Sequence, residues 1–172
     1  VESAGGRLSS RVSYPIEGTQ RTLRLTLKVP ARLRLVLEES GSPLAVSGVA
    51  AVQLASRGEA HVRGIRGPVT GRHRGGDLSI VECQSVRMEV NGADLQIERI
   101  AGDVAATLRG GDLRAAEVGG AVQVDAQGSD VRVERGTGDG GLVRVTAVGG
   151  SVTLRDLRTE ARLDVRNADV EV

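Results

Sequence analysis

A four-residue motif recurs along this chain at a nearly constant interval. Its first two residues are small, its third is usually an aspartate, and its fourth is a branched apolar residue. The apolar residue recurs at spacings of 17, 18, 18, 21 and 18 positions. The six copies are 75–78 (GGDL), 92–95 (GADL), 110–113 (GGDL), 128–131 (GSDV), 149–152 (GGSV) and 167–170 (NADV). A fixed period of this length is typical of repeat proteins, in which each repeat buries its apolar face by stacking on its neighbours.

Apolar and polar residues alternate between these tetrapeptides, with the period of a strand that has one buried face. The apolar triplets are Val86-Met88-Val90, Val104-Ala106-Leu108, Val122-Val124-Ala126, Val143-Val145-Ala147 and Ala161-Leu163-Val165. No segment shows the spacing of an amphipathic helix. The sequence therefore predicts an all-β, single-stranded parallel β-helix (β-solenoid) with 17–21 residues per coil and about seven coils. The preference for right-handed crossovers favours a right-handed solenoid.

Two alternating segments, 23–29 and 33–37, precede the repeats on either side of Pro30. We expect them to form two strands that lead into the solenoid and cap its first coil, because an open solenoid end exposes unpaired strand edges. The predicted organisation is one structural domain, with capping strands in residues 1–40 and β-helix repeats in 41–172. Leu44 starts a shortened first coil, and Ala60 starts the coil before Leu78.

The composition limits which residue types can form the core. The 172 residues are enough to bury one core, but they include no Phe or Trp and a single Tyr. We therefore expect a core of Val, Leu, Ile and Ala. The lone cysteine, Cys83, excludes an intramolecular disulfide. No apolar run approaches the ~18 residues of a membrane span, and neither a signal peptide nor an anchor is visible within the sequence.

Two outward columns of stacked side chains carry charge. One column alternates in sign from coil to coil and consists of Glu82, Arg99, Glu117, Arg135 and Asp156. Each exposed pair in it is worth about 0.5 kcal/mol. The other column is a ladder of like charges, consisting of Asp77, Asp94, Asp112 and Asp130. Carboxylates stacked ~4.8 Å apart repel by about 1 kcal/mol in water.

Something must therefore offset the repulsion within the aspartate ladder. We expect each carboxylate to accept a hydrogen bond from backbone N–H groups of its own turn. The alternative is a divalent cation such as Ca²⁺ bound along the ladder. Calcium-binding solenoid repeats, however, use a denser nonapeptide, GGxGxDxUx, whose third glycine and second turn are missing here.

Residues suited to catalysis are few. By the strand alternation His61 should face solvent, whereas His73 falls in the inward column of Val90 and Leu108. We expect both histidines to be structural or incidental, and Cys83 to be a small buried hydrophobe. No cluster of His and Cys has metal-ligand spacing. The sequence thus predicts no catalytic residue, no resident metal and no cofactor.

Charge is distributed unevenly along the chain. Residues 1–75 carry 12 basic and 5 acidic side chains, and residues 76–172 carry 11 basic and 17 acidic ones. Opposite charges at the two ends favour end-to-end self-association of solenoids. The segment 56–76 concentrates five arginines, namely Arg57, Arg63, Arg66, Arg72 and Arg74. They form either a solvated charged face or a patch for an anionic polymer, lipid headgroups or an acidic protein surface; without interleaved aromatics, sequence-specific nucleic-acid binding is not expected.

The run from Leu25 to Val172 resembles the toastrack β-helix family of bacterial adhesin-like domains, whose function is unknown. The resemblance is carried by LKVPARLRLVLEESG (27–41) and the GGDL-type repeats after it. It implies a parallel β-helix, a location in the cell envelope or outside the cell, and no catalytic residues. We therefore expect a non-catalytic structural or interaction module. Two alternatives are a carbohydrate-active β-helix enzyme and a polymer-forming cytoskeletal scaffold of the bactofilin type.

Overall fold

A computed structural model describes residues 2–4, 7–9, 32–38, 41, 43–136 and 141–172, and every regular element in them is a strand. The strands are β1 (Glu2–Ala4), β2 (Arg7–Ser9), β3 (Arg34–Glu38), β4 (Leu44–Ser47), β5 (Ala51–Arg57), β6 (Ala60–Arg74), β7 (Leu78–Asn91), β8 (Leu95–Ile100), β9 (Val104–Arg109), β10 (Leu113–Val118), β11 (Val122–Gln127), β12 (Val131–Glu134), β13 (Val143–Val148), β14 (Ser151–Arg155), β15 (Ala161–Arg166) and β16 (Asp169–Glu171). Strands β1 and β2 pair with each other antiparallel. All other pairings are parallel.

The parallel strands form two stacks, and each coil of the solenoid contributes one strand to each stack. Stack A contains β4, the first halves of β6 and β7, and then β8, β10, β12, β14 and β16. Stack B contains β3, β5, the second halves of β6 and β7, and then β9, β11, β13 and β15. The β-solenoid of about seven coils predicted from the sequence is therefore confirmed.

The register of stack A follows the sequence repeat residue by residue. Leu78 pairs with Leu95, and Leu95 pairs with Leu113, so the first apolar residue of each tetrapeptide forms one continuous column. Each of these three leucines is about 1% exposed, and burial of such a side chain stabilises the fold by roughly 1.5–3 kcal/mol. Val, Leu, Ile and Ala make up almost all of the core, as composition predicted.

The beginning of the solenoid contains one of the two predicted lead-in strands. Strand β3, predicted at 33–37, pairs in parallel with β5 and forms the first strand of stack B. The other capping strand, predicted at 23–29, lies outside the described residues. Farther along the chain, β6 carries one extra residue between Ile65 and Pro68 relative to β7. The segment between β12 and β13 is described only at its ends.

The tetrapeptides form the corner between stack B and stack A. At 110–111 both glycines have left-handed backbone, with φ of +69° and +83°. A Cβ on Gly110 would lie 3.9 Å from its nearest neighbour, whereas a Cβ on Gly111 would lie 2.1 Å from the carbonyl oxygen of Ala93 in the preceding coil. The second glycine is therefore required because two turns of backbone approach each other closely there.

The opposite corner, between stack A and stack B, uses left-handed backbone without glycine. The five residues of the alternating charge column all have φ between +52° and +58°, and they are Glu82, Arg99, Glu117, Arg135 and Asp156. Gly48 and Gly64 occupy the same column in the first two coils, with φ of +70° and +66°. A left-handed conformation costs a non-glycine residue roughly 1–2 kcal/mol, so this corner stores strain in every coil that lacks glycine.

Candidate interaction surface

The structure separates the residues that could have supported catalysis. His61 is exposed and its Nε2 lies 3.0 Å from Glu59 Oε1, whereas His73 is fully buried with its Nδ1 2.8 Å from Ser56 Oγ. Burial raises the pKa of the Cys83 thiol to about 12, so this thiol stays protonated and unreactive. The positions predicted for all three side chains are confirmed: His61 faces solvent, and His73 and Cys83 face the core, where the Ser56–His73 pair is shielded from solvent.

The aspartate ladder is satisfied differently from our prediction. Asp94 Oδ1 accepts a hydrogen bond from the backbone N–H of Asp112 at 2.9 Å, and Asp112 Oδ1 accepts one from that of Asp130 at 3.3 Å. Asp130 Oδ1 in turn accepts one from Ser151 Oγ at 2.9 Å. The prediction that these carboxylates bond within their own turns was therefore wrong for Asp94, Asp112 and Asp130, because the next coil presents a donor to each of them.

The cation alternative finds no support in the ladder, which runs from Asp77 to Asp130. Across the described residues, no three His, Cys, Asp or Glu side chains come together in a group that could hold a metal ion. Hydrogen bonds that link neighbouring coils offset the repulsion between carboxylates instead, since a bond to a charged acceptor contributes about 1.5–3 kcal/mol.

Charges at the corner column and on the stack A face are largely paired. Arg99 Nε lies 3.2 Å from Glu82 Oε1, and Arg135 Nη1 lies 3.2 Å from Glu117 Oε1, as the alternation in sign predicted. Hydrogen bonds from Arg63, supported by Arg99, hold the pKa of Glu82 below its ordinary value. A shallow depression of about 520 Å³ between Arg99, Glu117 and Arg135 is therefore bounded by charges that already have partners.

The five arginines predicted as one basic patch fall into separate places. Arg63 lies on the outer face of stack A, where its Nε is 3.3 Å from Glu82 Oε2. Arg66 follows at the corner between the stacks. The remaining three, Arg57, Arg72 and Arg74, project outward from stack B. The prediction of a single patch was thus wrong for Arg63 and Arg66, because the chain turns between them and Arg72.

The outer face of stack B gathers additional arginines from later coils. Its strands carry nine outward arginines and four outward carboxylates, a surplus of five positive charges on the strands: Arg34, Arg57, Arg72, Arg74, Arg87, Arg109, Arg144, Arg162 and Arg166 against Glu38, Glu89, Asp125 and Asp164. Two further exposed acids, Asp103 and Glu160, directly precede β9 and β15 and lie in the column of Arg34. Among the described residues, no carboxylate lies within 4 Å of Arg57, Arg74, Arg87 or Arg109. Arg87 and Arg109 alternate with the apolar residues Val86, Met88 and Leu108. The alternation in the sequence was therefore sufficient to place both arginines on the outer face of stack B.

A groove of about 430 Å³ runs along this face, parallel to the solenoid axis. Its floor is formed by three residues whose neighbours on either side point outward: Gly71, Met88 and Ala106. One wall is the column Thr70, Arg87, Ala105 and Gln123, and the other is the column Arg72, Glu89, Thr107 and Asp125. Arg74, Asn91 and Arg109 form a third column beside the second wall.

Two acids of the second wall, Glu89 and Asp125, sit two coils apart with Thr107 between them. At the usual strand spacing this places their backbones about 10 Å apart. Glu89 Oε2 lies 4.0 Å from Arg72 Nε, and its side chain is 64% exposed. The groove therefore combines cationic, anionic and small polar side chains, all accessible to a ligand from solvent.

In the described part of the chain, no helix has both the length and the apolarity to cross a lipid bilayer. In comparisons with known proteins, no family model, no curated protein and no solved structure matches this chain.

Proposed function

We propose that this β-solenoid is a non-catalytic binding module of the toastrack, adhesin-like type, which presents a rigid surface to a partner in the bacterial cell envelope. The observation that carries the proposal is the outer face of stack B, where a groove along the axis is flanked by regular columns that include arginines with no carboxylate within 4 Å among the described residues. By contrast, the outward strand positions of stack A outside the corner column carry four arginines and four carboxylates, Arg63, Arg114, Arg132 and Arg155 against Glu98, Glu134, Asp169 and Glu171.

Rigidity supports a binding role for the stack B face. Each strand of the face is hydrogen-bonded between neighbouring coils, and its inward residues are locked in a core in which Val90 and Leu108 are fully buried. The backbone positions of the arginines are therefore fixed before a partner arrives. A preorganised backbone loses little conformational entropy on binding, and this gain in affinity does not require a deep pocket.

The test is co-sedimentation of the purified protein with isolated bacterial envelopes at low salt. The groove-face variant combines Arg74→Gln, Arg87→Gln and Arg109→Gln. The control variant combines Arg66→Gln, Arg114→Gln and Arg158→Gln, which removes the same charge from exposed positions away from the groove. We expect the wild type and the control variant to sediment with the envelopes and the groove-face variant to stay in solution; a wild type that stays in solution contradicts the proposed function.

A second candidate function, cleavage of a glycosidic bond, is favoured by one observation only. Glu89 and Asp125 face one groove, and inverting glycosidases hold two carboxyl groups ~6.5–9.5 Å apart. Against it, the exposure of Glu89 leaves that carboxyl solvated, whereas a general acid is usually buried to keep its proton.

The second candidate is tested by measuring the reducing ends released from acidic and neutral polysaccharides. Cleavage by this pair requires that Glu89→Gln and Asp125→Asn each abolish the release, while Asp164→Asn on the same face leaves it unchanged. Equal rates for the wild type and Glu89→Gln contradict glycosidase function, and the binding module then remains.

A further inference from the structure

We propose that the stack B groove binds a linear acidic polysaccharide, with its carboxylate groups on the arginine columns and its hydroxyl groups on the polar wall. This inference rests on the proposed binding function and names the chemistry of the partner. The groove-lining residues span four successive strands of stack B, from Thr70 on β6 to Gln123 on β11.

Charge complementarity identifies the partner as an anion. Arg87 lines the groove, and Arg74 and Arg109 lie in the adjacent column, each without a carboxylate within 4 Å among the described residues. A guanidinium group without an internal partner is available for two parallel hydrogen bonds to a carboxylate. Arg72, by contrast, is already close to Glu89, so it is expected to contribute less.

The spacing of these arginines favours a polymer over a small anion. Arg57 and Arg74 pair in register on neighbouring coils, and Arg109 follows two coils after Arg74. With ~4.8 Å between coils, the three guanidinium groups extend over about 14 Å along the axis. A single small anion cannot span the three sites, whereas a chain with an acid on each unit can reach all of them.

The polar wall favours a sugar over a nucleic acid or a membrane. Thr107, Gln123 and Asp125 offer hydroxyl, amide and carboxylate groups that hydrogen-bond to sugar hydroxyls. The described residues of the face include no aromatic side chain, so they offer no platform on which single-stranded bases stack. The large apolar side chains exposed on the described face, Val36 and Val148, lie outside the groove, and Met88 in its floor is only 2% exposed, so the described part of the groove offers lipid chains no large exposed apolar side chain.

The binding experiment uses polygalacturonate as the probe, with fully methyl-esterified polygalacturonate as a matched ligand whose carboxylates are masked. We expect the wild type to bind the acidic polymer at low salt, to lose it as salt rises, and not to bind the esterified polymer. At about 0.5 kcal/mol for each exposed contact, the groove-face variant should bind roughly tenfold more weakly. The control variant, with the same net charge, should bind like the wild type.

Three outcomes would overturn the inference. Equal binding of esterified and acidic polygalacturonate would show recognition of the neutral backbone. Equal weakening in the groove-face and control variants would show a diffuse charge effect. Tighter binding of oligo-dT or of vesicles with anionic lipid than of the acidic polymer would assign the face to a different partner. Each result leaves the proposed function standing, whereas failure to bind any envelope contradicts that function itself.

Discussion

The two glycines of a tetrapeptide allow the stacking geometry to be tested by a pair of minimal substitutions. Gly110→Ala and Gly111→Ala add the same methyl group at neighbouring positions, and both positions have left-handed backbone. The added Cβ at Gly110 would meet its nearest neighbour at 3.9 Å, which is ordinary contact. At Gly111 it would lie 2.1 Å from the Ala93 carbonyl oxygen, so the two coils must separate by roughly 1 Å to admit it.

The magnitudes follow from two separate costs. Left-handed backbone costs alanine about 1–2 kcal/mol at either position. Separation of the coils at Gly111 also weakens two hydrogen bonds across the same turn, from Asp112 N to Asp94 Oδ1 at 2.9 Å and from Leu95 N to Asp112 O at 2.8 Å. At about 1 kcal/mol each, we expect Gly111→Ala to lower the free energy of unfolding by about 3–4 kcal/mol and Gly110→Ala by about 1–2 kcal/mol.

The measurement is equilibrium unfolding in guanidinium chloride followed by far-ultraviolet circular dichroism, since the sequence has no tryptophan for fluorescence. Both variants should keep the slope of the wild-type transition and differ in midpoint. Gly110→Asn serves as a further control, because asparagine already occupies the equivalent position at Asn167 with φ of +53°. If Gly110→Ala and Gly111→Ala destabilise the protein equally, close approach of backbone is not the reason for the second glycine.

Three further predictions concern the corner column, the buried thiol and self-association. Glu117→Gly should be about 1 kcal/mol more stable than Glu117→Ala in the same unfolding assay, because both lose the Arg135 pair but only glycine relieves the left-handed strain; equal stabilities contradict that strain. Cys83 should react with iodoacetamide at pH 8 only after unfolding, and the free energy of unfolding should fall from about pH 9 towards about pH 12, where only the unfolded thiol ionises; Cys83→Val should remove this fall. If the oppositely charged ends of the interaction module associate, light scattering should detect oligomers at low salt that dissociate at high salt, and a salt-independent monomer would exclude end-to-end association.

Register and core could be predicted from the sequence because both depend on apolar residues at fixed separations. Leu78, Leu95 and Leu113 form one buried column since only that alignment buries every repeat at once. The hydrogen-bond partners of the aspartate ladder were harder to predict, because a carboxylate can accept a hydrogen bond from its own turn or from the next coil. The choice depends on the position of the Asp112 N–H relative to Asp94, and that position is set by the spacing between coils rather than by local sequence.

The candidate surface could be predicted only in part. A basic segment was visible along the chain, but Arg63 and Arg72 lie on different faces because the backbone turns at the corner between them. The left-handed backbone at Glu82 and Arg99 was not predicted, since glutamate and arginine rarely adopt it. Gly48 and Gly64 in the same column were the available signal.

Both corners of the solenoid vary with a period of two coils rather than one. At the tetrapeptide corner, left-handed Gly76, Gly111 and Gly150 are interleaved with Ala93, Ser129 and Ala168; at the other corner, acids are interleaved with arginines. The repeating unit of the two corners is therefore a pair of coils, about 36 residues long. Removal of a whole pair would preserve the alternation at both corners, whereas removal of a single coil would bring like charges and like turns into contact.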